Sequence, residues 1–386
     1  MRHPALAAAA ICLGLAAARC GPEATGSGNL APPPDGGFTV GSADAGVGVD
    51  GGTGGSPDGG APSADECAGI APESGQQAVT ITVPHSPGQE CWDATVDQRG
   101  NLAADVRDGP WSTYSPSGAT LGANISAGTL WPQEEGFAGV RLDNRTPTLF
   151  FWAPNGSVSS RAPVGADSTR ATAFGGSTAG IVVVAQDCSS GSGGLSLTRF
   201  DGQARASASQ RYGEGGCASA AAVFDANGNT LLVIWPGSSA GLGGDELAAR
   251  WFAPDAKALT AWFAAGRGAS PSTQVMLRPL IGGGAALQVD GNWTATFRSG
   301  TASVDAPFPW LAPRTDIATI RKGRAYALEP RGSESRDVIQ LVSASGKSCG
   351  AIRFSANGLG VSADGTVVGF QGDGGCTHPF WPGLLK

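Results

Sequence analysis

Two apolar runs joined by a tight turn make Ser219–Trp235, SAAAVFDANGNTLLVIW, the clearest local pattern in the chain. The turn Asp225-Ala226-Asn227-Gly228-Asn229 holds residue types that accept the backbone conformations of a short hairpin connection. The sequence therefore predicts two antiparallel strands here. Weaker versions of the pattern recur, and seven units begin near these residues: Asp93, Phe137, Ala171, Ser219, Thr273, Ile317 and Gly360.

Successive units begin 34 to 54 residues apart, and each has room for several short strands. Radial four-stranded blades repeat at about 40 to 50 residues, so the chain from residue 78 to 386 resembles the β-propeller class, although it has no WD or kelch signature. The resemblance implies seven blades, with six as the alternative; a pair of β-sandwiches would not predict this period. Gly360–Lys386 has room for three strands, and Ala78–Val83 would complete that blade and close the ring.

The composition agrees with an all-β body. The 386 residues are 41% hydrophobic and 15% charged, which is enough apolar material for a large core. Glycine occurs 61 times and proline 26 times, and both residues interrupt helices and occupy turns. We therefore expect few helices.

The first nineteen residues are typical of an export signal. Arg2 precedes an Ala- and Leu-rich core that is too short to serve as a membrane-spanning helix. The following Leu15-Ala16-Ala17-Ala18-Arg19-Cys20 resembles the lipobox of bacterial lipoproteins, with Arg19 where Gly or Ala is usual. The resemblance implies lipid attachment at Cys20, membrane anchoring and, because no Asp follows the cysteine, an outer-membrane or cell-surface location. Cleavage after Ala18 would instead give a soluble secreted or periplasmic protein.

Residues 20–77 have the composition of a disordered tether. Gly21–Gln77 contains eight acids, no Lys or Arg and few large apolar residues, so it could not offset its own ordering entropy. These acids and the two signal arginines leave only −1 of the total charge of −7 on the rest of the chain. A nearly neutral body lacks the excess of positive charge that is typical of nucleic-acid-binding proteins, so a nucleic-acid partner is not expected. Between residues 314 and 337 Arg and Lys alternate with acids, a pattern that predicts a mixed solvated face rather than an anion site.

Six cysteines follow Cys20, and an even number in an exported chain predicts disulfides. Pairing of sequence neighbours is the simplest arrangement, because the three separations of 24, 29 and 27 residues are alike. No CxxC or HExxH motif supports a metal site instead. The predicted pairs are Cys67 with Cys91, Cys188 with Cys217, and Cys349 with Cys376.

Most of the ten tryptophans are predicted to fill the spaces between blades. Two aromatic groups fall where connecting loops would reach a face of the ring: Trp131 with Glu134 and Glu135, and Phe308 with Trp310. Aromatic rings beside carboxylates suit a sugar or a cationic peptide, so these five residues are the candidate ligand-binding set.

Catalytic patterns are weak. His85 and His378 are predicted to be ordinary loop residues, and the GxSxG match at Gly237–Gly241 lacks a following helix. The Asp225 turn lacks the length and bidentate acid of a calcium loop, and no metal or other cofactor is predicted.

The predicted function is a membrane-tethered envelope lipoprotein whose propeller binds a glycan or protein ligand or serves as a scaffold. The alternative is an exported hydrolase or lyase acting on glycans or peptides. Three or more carboxylates with an Arg or His in the central funnel would favour the enzyme, whereas Ser, Ala and Gly there would favour binding.

Overall fold

The computed structural model describes residues 66–70, 77–86, 89–91, 93–106, 109–166, 169–175, 180–188, 194–215, 217–268, 270, 272–330, 337–354, 356, 358–362, 364–370 and 376–386. The signal sequence, Cys20 and the predicted tether up to residue 65 lie outside these ranges. Over the described ranges, we find no helix with the length and apolar character required to cross a membrane.

Twenty-seven strands account for most of the described chain, with 3₁₀ turns at Gly237–Ala240 and Arg321–Gly323. The first thirteen strands are β1 Val79–Thr82, β2 Ala94–Val96, β3 Leu102–Asp105, β4 Trp111–Tyr114, β5 Thr120–Ile125, β6 Trp131–Pro132, β7 Phe137–Asp143, β8 Thr146–Trp152, β9 Val158–Pro163, β10 Thr169–Gly175, β11 Ile181–Asp187, β12 Gly194–Phe200 and β13 Ala206–Gly215. The others are β14 Ser219–Phe224, β15 Thr230–Trp235, β16 Glu246–Phe252, β17 Phe263–Arg267, β18 Val275–Pro279, β19 Ala285–Val289, β20 Asn292–Phe297, β21 Thr315–Ile320, β22 Ala325–Pro330, β23 Val338–Ser343, β24 Ser348–Arg353, β25 Gly358–Val361, β26 Val367–Phe370 and β27 Thr377–Trp381.

These strands form seven antiparallel sheets, and the prediction of a seven-bladed β-propeller is confirmed. Blades 1 to 4 are β2–β5, β6–β9, β10–β13 and β14–β17, each with its strands in sequence order. Blade 5 is β18–β20, blade 6 is β21–β24, and blade 7 has the order β1-β27-β26-β25. Ser219–Trp235 forms the two inner strands of blade 4, paired from Ser219 with Trp235 to Phe224 with Thr230.

Two details differ from the predicted units. Blade 2 begins at Trp131 rather than near Phe137, because the short strand β6 precedes β7. Blade 5 has three regular strands, and only an isolated bridge between Thr296 and Asp305 represents a fourth. Pro307 and Pro309 follow Asp305, and a strand cannot extend its ladder through residues that lack N–H groups.

The core lies between adjacent blades. All six residues of β15 are buried. Leu232 and Ile234 belong to a cluster shared with blade 3, whereas Leu231 and Val233 belong to one shared with blade 5. Because both faces of a middle strand are covered, β15 is continuously apolar instead of alternating.

Most tryptophans serve this core, as predicted. Of the nine in the described ranges, six are buried: Trp111, Trp152, Trp235, Trp251, Trp293 and Trp381. Trp92 lies outside those ranges.

The ring closes as the sequence predicts. Strand β1 is the outermost strand of blade 7, where Val79 pairs with Phe380 and Thr82 with Thr377.

The disulfide prediction is wrong in two of its three pairs. Cys188 bonds Cys217, but Cys67 bonds Cys349 and Cys91 bonds Cys376. These two bonds hold both flanks of β1 to blades 6 and 7, because closure brings the beginning and end of the domain together.

His378 is not the loop residue that the sequence predicted. It lies in β27, fully buried, with Nδ1 located 3.3 Å from the carbonyl oxygen of Gly369. Its Nε2 has no hydrogen-bond partner among the described residues. Burial lowers the pKa of His378 below its ordinary value.

The Asp225 turn is structural, and it also binds the next blade. One carboxylate oxygen of Asp225 accepts hydrogen bonds from the backbone N–H groups of Asn227 and Asn229, both 2.9 Å away. The other accepts from the Ser299 hydroxyl and from the Gly284 N–H at 3.4 Å in blade 5. Asp97 of blade 1 has the same arrangement and accepts a bond of 2.7 Å from the Gly136 N–H of blade 2.

Candidate ligand-binding site

The turns between first and second strands and between third and fourth strands lie at the same end of each antiparallel blade. We call this end of the ring the hairpin face. Two cavities that open on the described part of this face are candidate binding sites, and they lie at different blades.

The first cavity, called the groove here, has a volume of about 630 Å³ and belongs mainly to blade 5. The turn between β18 and β19 forms one wall, and the segment after β20 forms the other. The residues with side-chain chemistry that bear on binding are Ile281, Thr296, Arg298, Ser299, Asp305 and Phe308.

An aromatic stack borders the groove. The rings of Phe308 and Trp310 are 5.2 Å apart and within 9° of parallel, and both side chains are partly exposed. Trp310 also lies 5.3 Å from the ring of Tyr326. The Tyr326 hydroxyl accepts a 2.7 Å hydrogen bond from the Ile281 N–H, and burial raises the pKa of this tyrosine. The stack is therefore fixed between blades 5 and 6.

Polar groups complete the groove wall. Arg298 and Asp305 form an ion pair of 3.1 Å, and Arg298 is 76% exposed. The amides of Asn227 and Asn229 donate to the Ser299 hydroxyl oxygen at 3.1 and 2.9 Å. The Ser299 hydroxyl also donates to Asp225 and is therefore saturated, so Arg298 supplies the donors and Asp305 the acceptors for a hydroxyl-rich ligand.

The second cavity, of about 590 Å³, lies where blades 7, 1 and 2 meet. Its charged lining residues are Arg99, Glu134, Asp364 and Lys386. Arg99 and Glu134 approach to 3.9 Å, and their side chains are 64% and 77% exposed, so solvent screens this pair strongly.

The structure separates the predicted set. Glu134 lines the second cavity and Glu135 is exposed beside it in sequence. Trp131 lies within β6 rather than in a loop between blades, and it packs 6.2 Å from Phe174 at the boundary with blade 3. Only Phe308 and Trp310 stay together, next to the groove.

Sequence reasoning missed Arg298, Ser299 and Asn227 as members of this site. Asn227 belongs to the turn of blade 4, and Ser299 follows it by 72 residues, so no local spacing signals their contact. The Asp-Asn-Gly composition of the turn predicted the hairpin, but it did not predict the contact with Ser299 in blade 5.

The innermost strands offer little for catalysis within the described chain. Ala, Ser, Thr and Gly make up much of β14, β21 and β25. The two buried acids Asp316 and Glu329 lie near Arg278, which makes two hydrogen bonds of 2.7 and 2.6 Å to Asp316. No group of three or more His, Cys, Asp or Glu suited to a metal is found among the described residues.

No protein-family model matches the chain, and no curated protein matches it. Solved structures do. The Dos1 propeller is 9% identical, with 83% of this chain and 97% of that chain covered and a TM-score of 0.47. The C-terminal WD40 domain of Sif2 is 11% identical, with 77% and 83% covered and a TM-score of 0.36.

A third match is BBS1N, crystallised in complex with ARL6, which is 8% identical, with 80% of this chain and 98% of that chain covered and a TM-score of 0.43. The seven sheets themselves define this chain as an all-β, seven-bladed β-propeller whose fold is compatible with a binding or scaffold module.

Proposed function

We propose that this protein is an exported, membrane-tethered binding module whose groove holds a glycan. The observation that carries the proposal is the ring of Phe308, which lines the groove and is held in place by Trp310, beside the hydrogen-bonding groups of Arg298 and Asp305. Aromatic rings cover the apolar faces of sugar rings, while such polar groups bind their hydroxyls.

Charge favours a glycan over a cationic peptide. A cationic peptide requires carboxylates free to attract it, but Asp305 is paired with Arg298 and Glu134 with Arg99. Asp305, the acid of the groove, is thus accompanied by an arginine that would repel a positive ligand.

The tether rests on the sequence. Lipid attachment at Cys20 would place the propeller at the outer membrane or cell surface, and the three disulfides support an extracytoplasmic compartment. Radiolabelled fatty acid should be retained by the wild-type protein and lost in Cys20→Ala. Absence of label in the wild type would favour soluble protein cleaved after Ala18.

The groove is tested with neutral glycans and the full mature protein. Calorimetric titration with dextran, cello-oligosaccharides and chito-oligosaccharides should find a ligand whose Kd rises about 3- to 10-fold in Phe308→Ala. Val158→Ala is the matched control, because Val158 is an exposed apolar residue beside the β8–β9 turn on the hairpin face of blade 2. Equal binding by the two variants, or no binding by the wild type, would contradict the proposal.

A further inference from the structure

Basic side chains gather on the hairpin face of blades 6 and 7. Lys322 and Arg324 occupy the turn between β21 and β22, Lys347 the turn between β23 and β24, and Lys386 the segment after β27. All four are exposed, and none makes an ion pair with another described residue. We call these four residues the basic sector.

The fold removes the acids that alternate with these residues in sequence. Asp316 is buried and paired with Arg278, and buried Glu329 accepts a hydrogen bond of 2.6 Å from the Val361 N–H. Asp337 lies at the opposite end of blade 6, where it pairs with Arg353. Among the described residues of the predicted mixed face, strand direction and burial therefore separate Lys322 and Arg324 from Asp316, Glu329 and Asp337, whereas Arg331, Glu334 and Arg336 lie outside the described residues.

Three described acids lie near the basic sector: Glu134 lines the second cavity with Lys386, Glu66 precedes Cys67, whose sulfur bonds Cys349 two residues after Lys347, and Asp364 also lines the second cavity. The oxygens of Asp364 are occupied. Asp364 accepts hydrogen bonds from the Ser362 hydroxyl, from the Thr366 N–H at 3.0 Å and from the Thr366 hydroxyl at 2.8 Å. The Asp364 carboxylate therefore offsets the positive charge of the basic sector only weakly.

The turn that presents Lys322 has an unusual backbone. Arg321 and Lys322 have φ values of 53° and 55°, a left-handed region that favours glycine or asparagine. The Arg321 N–H donates to the Leu385 carbonyl oxygen at 3.1 Å, and its guanidinium to the Lys386 carbonyl oxygen at 2.8 Å. Arg321 thus ties this turn to the segment after β27, whereas the Lys322 side chain is exposed at a backbone position that favours another residue type.

The basic sector continues from the groove. Trp310 of the aromatic stack lies directly over Gly346, where an added Cβ would come within 2.1 Å of its ring, and Lys347 is the next residue. Trp310 also contacts Tyr326, two residues after Arg324. A chain leaving the groove across Trp310 therefore meets Lys347 and Arg324.

We infer that the ligand is an acidic polysaccharide, one whose sugar units carry carboxylate or sulfate groups. This inference rests on the proposed glycan-binding function. Phe308 would hold one sugar unit in the groove, and the basic sector would bind the anionic groups of the units that follow. Such an interaction weakens with salt, because exposed charges are screened over about 10 Å at 0.1 M ionic strength.

The test compares polygalacturonate, heparin and neutral dextran on the full mature protein. The double variant Lys322→Glu/Arg324→Glu should weaken binding of polygalacturonate or heparin at least about 10-fold at 0.1 M salt and abolish most of its salt dependence. Binding of a neutral glycan in the groove should be unchanged. Arg205→Glu is the matched control, since Arg205 is exposed in a turn on the hairpin face of blade 3.

The outcomes separate the two proposals. If a neutral glycan binds and Phe308→Ala weakens it, but acidic polymers bind no better than dextran or respond equally to Arg205→Glu, the basic-sector inference is overturned and the groove stands. If acidic polymers bind through the basic sector but Phe308→Ala has no effect on any glycan, the groove and the combined site are both overturned.

Discussion

At the level of single residues, His378 differs most from its prediction: the sequence predicted an ordinary loop histidine, and the structure places it in the core. Its ring packs 5.5 Å from the ring of Phe370 and lies in the strand that pairs with β1. A short Thr-His-Pro sequence contains no sign of this, since burial comes from strands elsewhere in the chain. The residue is therefore a neutral core histidine in the closing blade.

His378 should make stability depend on pH below neutrality. The unfolded chain accepts a proton near the ordinary histidine value of 6.5, whereas the folded pKa is lower because of burial. The unfolded state then binds more protons, so stability is full above about pH 6.5 and falls as the pH drops towards the folded pKa. Thermal unfolding followed from pH 7.5 to 5.0 should show a steeper loss for wild type than for His378→Gln. Parallel profiles would assign the acid sensitivity to other groups.

At the level of elements, the hairpin turn of the clearest repeat also connects blades. The Asp-x-x-Gly-Asn turns at Asp97 and Asp225 each use one carboxylate oxygen for their own backbone and the other for a glycine N–H of the following blade. Asp201 begins a similar turn, but within the described chain its carboxylate accepts hydrogen bonds only from the Gln203 and Arg205 N–H groups of the same turn, at 2.9 and 3.0 Å. The aspartate of such a turn thus stabilises its own hairpin and, at Asp97 and Asp225, also joins the hairpin to the following blade.

Comparison of two alanine variants isolates the blade-to-blade contribution. Asp225→Ala should lose about 2 kcal/mol more unfolding free energy than Asp201→Ala, because it also leaves Gly284 N–H and the Ser299 hydroxyl without an acceptor. Urea unfolding of both variants measures the difference. Equal losses would mean that Asp225 contributes only to its own turn.

At the level of the whole molecule, closure depends on β1 and the disulfides on either side of it. The bonds Cys67–Cys349 and Cys91–Cys376 span 282 and 285 residues. While either bond is intact, however, the other closes a loop of only about 50 residues, formed by the separations of 24 and 27 residues between the neighbouring cysteines. Their contributions are therefore coupled.

Removing both closure disulfides should cost more than the sum of the single removals. Loop-closure entropy predicts an excess of about 1 to 2 kcal/mol in the quadruple alanine variant over the two pairwise variants. Denaturant unfolding of the three variants and wild type, under oxidising conditions, measures it. The Cys188→Ala/Cys217→Ala pair is the control and should combine additively with either bond; additivity throughout would contradict the coupling.

Much of the architecture could be predicted from the sequence because it is encoded locally. Alternating apolar residues and Asp-Asn-Gly turns specify hairpins within a few residues, and their spacing indicated seven blades and the role of Ala78–Val83. Blade 5 departs from the pattern for an equally local reason, the prolines at 307 and 309.

The candidate site could be predicted only in part. Phe308 and Trp310 remain neighbours because only Pro309 separates them in sequence. Trp131 and Glu134 diverge because Trp131 lies in a strand and Glu134 in the turn that follows it. Ser299 and Asn227 contact each other from different blades, and the spacing of residues along the sequence does not predict contacts between blades.

By itself, the sequence determined the all-β class, the number of repeats and the closing strand, since hydrogen bonding within a hairpin depends on residues close together. The tertiary structure alone decided which cysteines pair, that His378 is buried, and that Asp316, Glu329 and Asp337 are separated from Lys322 and Arg324. Ring closure brings residues from the two ends of the domain together, which sets the cysteine pairs and the burial of His378. Strand direction sends residues that are close in sequence to opposite ends of a blade, which separates the charges.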